Sequence, residues 1–447
     1  MLRRFAAAFA VLIGLVCANP VWAGPVLLIS VDGLRPGDVL EADKRGLKVP
    51  TLRRFVREGA YASGVRGVLP TVTYPSHATL LTGVSPARHG IVGNTTFDPL
   101  QINAGGWFWF AQDFKVPTLW QAASGAGLSV GNLHWPVSVG AAGINWNLPQ
   151  VWRTGHGDDA KLLAALATPG LLAHLEQARG EPYAQGIIED IDGDENRARF
   201  AVSLIEARAP EFLTVYYTAY DHQQHIDGPG TAGAHAVLER IDSALAQVIA
   251  AELKAHPDAV IALVSDHGFA PVMRVTNLFR AFIDAGLIVV GPDGKVKSWE
   301  AMPWPSGGSA AIVLARPNHP ALKALVAAKL AALQSEPESG IAGIADAAEI
   351  KGMGGNPDAS FYVNFKLGTS AGSFADQAKG LYAVPKNKGT HGWFPGSPEL
   401  RASFMIMGPG IPKGRNLGEI DQRAIAPTLA RIMGASMPMA EVPGLSF

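Results

Sequence analysis

Cysteine is nearly missing from this 447-residue chain; Cys17 is the only one. Charge of one sign is missing too. The 37 Lys and Arg nearly cancel the 38 Asp and Glu, with no long like-charge run, which argues against a nucleic-acid-binding surface. It leaves room for a small anionic substrate in a pocket. No internal repeat or low-complexity tract stands out. The uncharged apolar stretch from Phe5 to Ala18 is too short to span a bilayer comfortably.

That stretch follows Arg3 and Arg4 and precedes Val21-Trp22-Ala23, a small-x-small cleavage pattern. It reads as a secretory signal peptide over residues 1–23, leaving a domain at 24–447. Cleavage would remove Cys17. The remaining chain would then have no disulfide, no thiolate metal ligand and no cysteine nucleophile, as suits an oxidising compartment. The expected location is secreted or periplasmic, with no membrane span after signal removal. Lipoprotein processing at Cys17 is the rival, although Gly14 stands where a lipobox normally has Leu.

Length alone allows two or three domain-sized units. The run from Pro25 to Asp32 is continuously apolar, as in a strand buried on both faces of a parallel sheet. A helix is expected from Pro50 to Gly59, with proline at its entrance and glycine at its exit. Further strands are expected at 212–217, 259–265, 310–315 and 404–407, and helices at 196–208, 232–255, 320–333 and 421–433. This alternation predicts an α/β fold with a mostly parallel central sheet flanked by helices. Residues 96–160 break the pattern and read as elaborated loops. Residues 277–388 read as an inserted cap.

Asp32, Thr73, Asp221, His225, Asp266, His267 and His391 sit at or just beyond strand-like runs, where ligands gather in such sheets. Together they offer carboxylate and imidazole ligands and one hydroxyl, enough for two divalent metals with a nucleophile between them. Asp266-His267-Gly268 alone is a common turn. The Asp221 and His225 pair, four apart, shares a helix face as many solvated pairs do. A carboxylate at the end of a buried run, like Asp32, needs a partner such as a metal or Arg35. Pro75 places Thr73 or Tyr74 at a helix entrance, where Thr73 is either an N-cap or a nucleophile activated by a metal. Asp190-x-Asp192-x-Asp194 looks like the start of a calcium loop. Glu195 and Ala201 occupy positions where such a loop needs Gly and Glu, so it reads as an acidic lead into a helix.

With Val31-Asp32-Gly33, the segment Thr73 to His77, Leu81-Thr-Gly83 and His89-Gly-Ile91, the chain resembles the type I phosphodiesterase / nucleotide pyrophosphatase family of the alkaline phosphatase superfamily. Asp221-x-x-x-His225, Ser265 to Gly268, Gly389 to Trp393 and Ile425 to Leu429 continue the match in family order. The resemblance implies an alkaline-phosphatase-like core with an inserted cap, and two metal ions, zinc by family habit. Asp32, Thr73, Asp266 and His267 would hold one ion, and Asp221, His225 and His391 the other. It implies hydrolysis of phosphodiester or pyrophosphate bonds, with nucleotide-type substrates, through a phospho-threonine at Thr73. Ser76 stands where relatives usually carry an Asn that binds a phosphate oxygen, and Phe394 where they often have a polar residue. Tyr74 and Tyr216 are expected substrate contacts; His77 and His89 read as structural. The competing readings are a phosphonoacetate hydrolase-like enzyme or phosphomonoesterase of the same superfamily, and an inactive metal- or phosphate-binding protein. Oligomeric state is open.

Overall fold

The computed structural model describes residues 24–103, 106–151 and 156–447; the expected signal peptide lies outside them. Ten strands suffice to place the site. They are β1 (Val26–Val31), β2 (Ala60–Tyr61), β3 (Val130–Leu133), β4 (Trp146–Leu148), β5 (Phe212–Tyr217), β6 (Val260–Val264), β7 (Ala270–Thr276), β8 (Gly389–Thr390), β9 (Phe404–Met407) and β10 (Arg415–Asn416). All but β7 and β8 form an eight-stranded sheet in the order β10-β2-β9-β6-β1-β5-β3-β4. From β6 to β4 every pairing is parallel, and β9 runs antiparallel to β6 and β2.

The unbroken apolar sequence of β1 follows from this position. Leu27, Ile29 and Val31 point into one apolar cluster with Leu213, Val215, Ile261 and Leu263. Val26 and Leu28 point into a second cluster on the other face, with Phe212, Val260 and Val264. Successive side chains leave a strand on opposite faces, and here helices cover both. Four of those helices matter below: α1 (Thr73–Thr82), α2 (Ile191–Arg208), α3 (Ala219–Asp227) and α4 (Ala232–Ala255). No described helix is long and apolar enough to cross a membrane.

Two expectations are corrected. Residues 96–160 are not only loops, because they supply β3 and β4 at the sheet edge. Asn132 and Asn147 hid those strands from an apolar pattern. The cost of burying them is met by mutual bonding: Asn132 donates to Asn147 at 2.8 Å and accepts from the Thr214 hydroxyl at 2.7 Å. The helix expected near Asn196 starts earlier, at Ile191, because Asp190 caps it by accepting from the Gly193 N–H.

Residues 277–388 contain a four-stranded antiparallel sheet in the order 301–305, 309–314, 361–365, 341–346. Its apolar side, with Ile312 and Val363, packs in one cluster with Val272 of β7 and Trp393. Strand β7 leaves the central region and pairs antiparallel with β8, so the chain returning from this segment comes back beside the end of β6.

Candidate active site

Asp32, Asp266, His267 and His391 follow the ends of β1, β6 and β8, whereas Thr73 opens α1 and Asp221 and His225 lie on α3. Asp32 directly follows β1, its N–H bonded to the Tyr217 carbonyl at 2.9 Å. Gly33 then turns the chain at φ +67°, where a Cβ would crowd Gln224 and Phe269. Its N–H donates to Asp266 Oδ1 at 3.1 Å, tying the ends of β1 and β6 together. The carboxylates of Asp32 and Asp266 therefore share one buried space.

Thr73 is the first residue of α1, and the N-cap is Val72, with no side-chain capping bond. The cap reading of Thr73 falls away, since its hydroxyl serves no helix N–H. Helix α1 begins two residues before Pro75, which costs nothing because the first four N–H groups have no partner within a helix. Thr73 Oγ lies 3.5 Å from His267 Nε2. Below it, buried His77 bonds the Thr73 carbonyl through Nδ1 at 2.8 Å and Ser30 through Nε2 at 2.8 Å.

The three cluster histidines are oriented alike. Nδ1 of His225 faces the Gly389 carbonyl at 2.9 Å, that of His267 the Gly268 carbonyl at 3.1 Å, and that of His391 the Thr71 carbonyl at 3.2 Å. A carbonyl only accepts, so each Nδ1 carries the proton and each Nε2 presents a lone pair. Those lone pairs face carboxylates: His267 to Asp266 at 2.9 Å, His225 to Asp221 at 3.3 Å and His391 to Asp221 at 3.6 Å. Gly392 makes this approach of His391 feasible, because at φ +91° a Cβ would stand 1.7 Å from the Ser306 carbonyl.

Acceptors facing acceptors need a cation between them. Asp32 Oδ1, Asp221 Oδ1 and Asp266 Oδ2 are buried without a hydrogen-bond partner, and two groups have ligand atoms mutually within 4.8 Å: Asp32, Asp266 and His267, and Asp221, His267 and His391. His267 belongs to both. The donor set of carboxylate oxygen and imidazole nitrogen suits divalent metals, so the residues fit the ions that the sequence suggested.

The charges agree. Burial, then repulsion from Asp266 and Asp221, pushes the Asp32 carboxyl well above the usual carboxylate range. Burial opposes ionisation of Asp266 and Asp221 as well. There His267 and His77 prevail for Asp266, which is held low, and His225 and His391 prevail for Asp221, lowered to about 2. Burial, with His267 beside it, lowers His391 to about 3, keeping that ring neutral and able to ligate. Burial would also lower His225, but Asp221 outweighs it and raises the imidazole.

A cavity of about 480 Å³ opens over the cluster, lined by Asp32, Thr73, Tyr74, Asn94, Trp107, Gln150, Glu189, Tyr216, Thr218, Asp221, His222, His225, Ile226, Lys386, Asn387 and His391. Tyr74 and Trp107 tilt toward each other with ring centroids 5.3 Å apart. The Tyr74 hydroxyl donates to Gln150 at 2.8 Å and its N–H to Asn94 at 2.9 Å. The Tyr216 hydroxyl donates to Asp32 in a short hydrogen bond.

The sequence model of the type I phosphodiesterase / nucleotide pyrophosphatase family matches residues 26–352. The chain belongs to this family. It is similar to human ectonucleotide pyrophosphatase/phosphodiesterase family member 1, 26% identical over 55% of this chain and 23% of that protein. It is similar also to Crotalus adamanteus venom phosphodiesterase 2, 24% identical over 61% of this chain and 31% of that protein. The matched part thus spans about a quarter to a third of these curated relatives. Among solved structures, murine ectonucleotide pyrophosphatase/phosphodiesterase 5 superposes with a TM-score of 0.66 at 17% identity, covering 95% of this chain and 97% of that one. An inactive threonine-to-alanine form of it in complex with AMP gives 0.67 at the same identity and coverage. At that identity the likeness establishes the fold alone, an α/β core with a mostly parallel central sheet.

Within this family member, the expected set of seven converges on one place. Tyr74 and Tyr216 line the cavity, but Tyr216 spends its hydroxyl on Asp32. Ser76 does not line it. It is fully buried in α1, its Oγ without a hydrogen-bond partner, while Asn94 occupies the wall. Phe394 packs on Tyr362 at 5.7 Å between centroids and also stands off the cavity wall. His222 is a rim residue paired with Glu189 at 3.0 Å, and His89 is buried against Thr79 at 3.1 Å. Sequence reasoning missed Asn94, Trp107, Gln150 and Glu189. Only Asn94 had a signal, lying three residues beyond the His89-Gly-Ile91 motif.

Proposed function

We propose that this chain hydrolyses phosphodiester or pyrophosphate bonds of nucleotide-type substrates, with Thr73 as nucleophile and two zinc ions as cofactors. The observation that carries the reading is Thr73, a hydroxyl at the start of α1 that caps nothing and faces buried, unpartnered carboxylate oxygens and imidazole lone pairs. Asp32, Thr73, Asp266 and His267 would hold one ion, and Asp221, His225 and His391 the other. Bound divalent cations supply positive charge against the attacking and departing oxygens.

The chain's own residues do the rest. Thr73 Oγ gives up its proton to solvent and bonds to phosphorus as the bond to the leaving oxygen breaks, and that oxygen departs with the electron pair and takes up a proton from solvent. Water then cleaves the phospho-threonine ester and restores the hydroxyl. The amino end of α1 faces the developing negative charge, and Asn94 is placed beside it. Tyr74 and Trp107 offer aromatic faces to the organic part of the substrate. Secretion or periplasmic export, by the segment before residue 24, suits a reaction on extracellular small molecules.

The test is hydrolysis of an aryl phosphodiester, an aryl phosphomonoester and phosphonoacetate by purified protein. Diesterase activity dominating the three supports the reading. Turnover confined to phosphonoacetate, or to the monoester, replaces it with the corresponding hydrolase of the same superfamily.

A further inference from the structure

Asp221 stands at the third position of α3, whose N-cap is Thr218. An acidic side chain there can reach back to the N-cap N–H and close a capping box. Here it does not. The Thr218 N–H donates to Asp194 Oδ1 at 3.0 Å, and the next N–H, of Ala219, donates to Asp194 Oδ2 at 2.8 Å. Asp194 comes from α2, 25 residues away in sequence from Ala219. Asp221 Oδ1 is buried with no hydrogen-bond partner.

Arg197 fixes Asp194 in this role. Both side chains are completely buried. The guanidinium donates to Asp194 through Nε at 3.1 Å and through Nη2 in a short bond, and to the Thr218 hydroxyl at 2.6 Å. Its Nη1 donates to the carbonyls of Gly186 at 2.6 Å and Ile188 at 3.0 Å, which anchor the turn bearing Glu189 on the cavity wall. The Asp190 to Asp194 motif, which resembled a calcium loop, thus has its last member turned inward.

We propose that Asp194, held by Arg197, is a positioning residue that caps α3 from outside and thereby leaves Asp221 free to ligate a metal. The inference rests on the reading that Asp221, His225 and His391 hold an ion. A helix N-terminus with no external cap favours a carboxylate within reach, and Asp221 is the acidic residue of the first turn of α3. Without Asp194, the ligand and the cap compete for the same oxygens. Binding should suffer at the Asp221 group, whereas Asp32 and Asp266 are on other elements and keep their ion.

The test is metal content and affinity, read by elemental analysis and chelator competition, in wild type and in the double variant Asp194→Leu/Arg197→Met. Replacing both members of a buried ion pair with apolar residues avoids the stranded charge that a single change would leave. Asp194→Asn is the second variant: it retains one acceptor for an N–H and should fall between the double variant and wild type. The expected result is about 10- to 100-fold weaker binding of one ion, the other unchanged, with circular dichroism preserved. Unchanged affinity for both ions in the folded double variant overturns the proposal. So does equal weakening of both, which would mean a general loss of structure. If the double variant does not fold, Asp194→Asn decides: selective weakening of one ion supports the proposal, and wild-type or uniformly weakened binding overturns it. Wild-type protein that binds no metal would instead sink the underlying reading.

Discussion

The imidazoles of His267 and His391 lie face to face, with centroids 3.7 Å apart and planes within 13°. One follows β6 and the other follows β8, so two chain segments distant in sequence meet as a stacked pair. Each has its Nδ1 committed to a backbone carbonyl. The stack is the shared wall between the two ligand groups, and His267 is the member that reaches both.

Each ring has one free Nε2 and so serves one ion. His391→Ala and His267→Ala are each expected to leave about one metal per chain, and the double variant close to none. Elemental analysis after gel filtration reads this directly. A double variant that still holds one metal would contradict the assignment of the two rings to different ions.

Replacing Thr73 with Ala should lower turnover on the order of 10³-fold or more, while metal content falls little because the carboxylates and imidazoles remain. Thr73→Ser keeps a hydroxyl and should retain measurable turnover. Activity surviving in Thr73→Ala, measured on an aryl phosphodiester, would rule out the covalent route.

Trp107→Ala should raise KM for a nucleotide diester by roughly tenfold, in line with about 1 to 3 kcal/mol for a base stacked on a ring, with kcat nearly unchanged. A substrate with a small alkyl leaving group should not register the change. If both substrates lose equally, the ring serves the fold and not the ligand.

Glu252 in α4 gives a pH prediction far from the site. It is fully buried, neither carboxylate oxygen has a hydrogen-bond partner, and burial raises it to about 8. Its unfolded value is near 4.3. Between these values the folded chain keeps a proton that the unfolded chain has lost, so stability falls as pH rises through that window and the whole penalty is present above it. The loss is up to roughly 1.4 kcal/mol for each pH unit crossed. Glu252→Leu should leave Tm nearly unchanged at pH 4 and raise it at pH 8. A Tm difference independent of pH would show that Glu252 does not change its proton on unfolding.

The parts legible in sequence were those set by local rules. Strand β1 was readable because burial on both faces leaves no room for polar residues, and the helix at 50–58 because Pro50 and Gly59 bracket it. The ligand cluster was readable because its residue types are chemically restricted and recur in a family order. Strands β3 and β4 were not, since buried asparagines bonded to one another look like loop residues. Trp107 and Glu189 were not, because reaching the cavity is a property of how loops fold back, and their sequence neighbourhood says nothing about it. The burial of Ser76 was not legible for a related reason. Residues three apart share a helix face, but whether a given point on that face meets the cavity or the interior depends on what packs against it, and Ser76 meets the interior.

The short pairing of β8 with β7 fixes more than an angle. The Lys388 N–H also donates to the His225 carbonyl at 2.8 Å, so His391 arrives on a segment stitched to both its strand neighbour and α3. Of the seven residues it is the last to be synthesised. A chain interrupted before that point can hold Asp32, Asp266 and His267 in its sequence yet never complete the second group. Occupancy of the second metal position would thus report that the chain extends past His391 and that this segment has folded back onto β7 and α3.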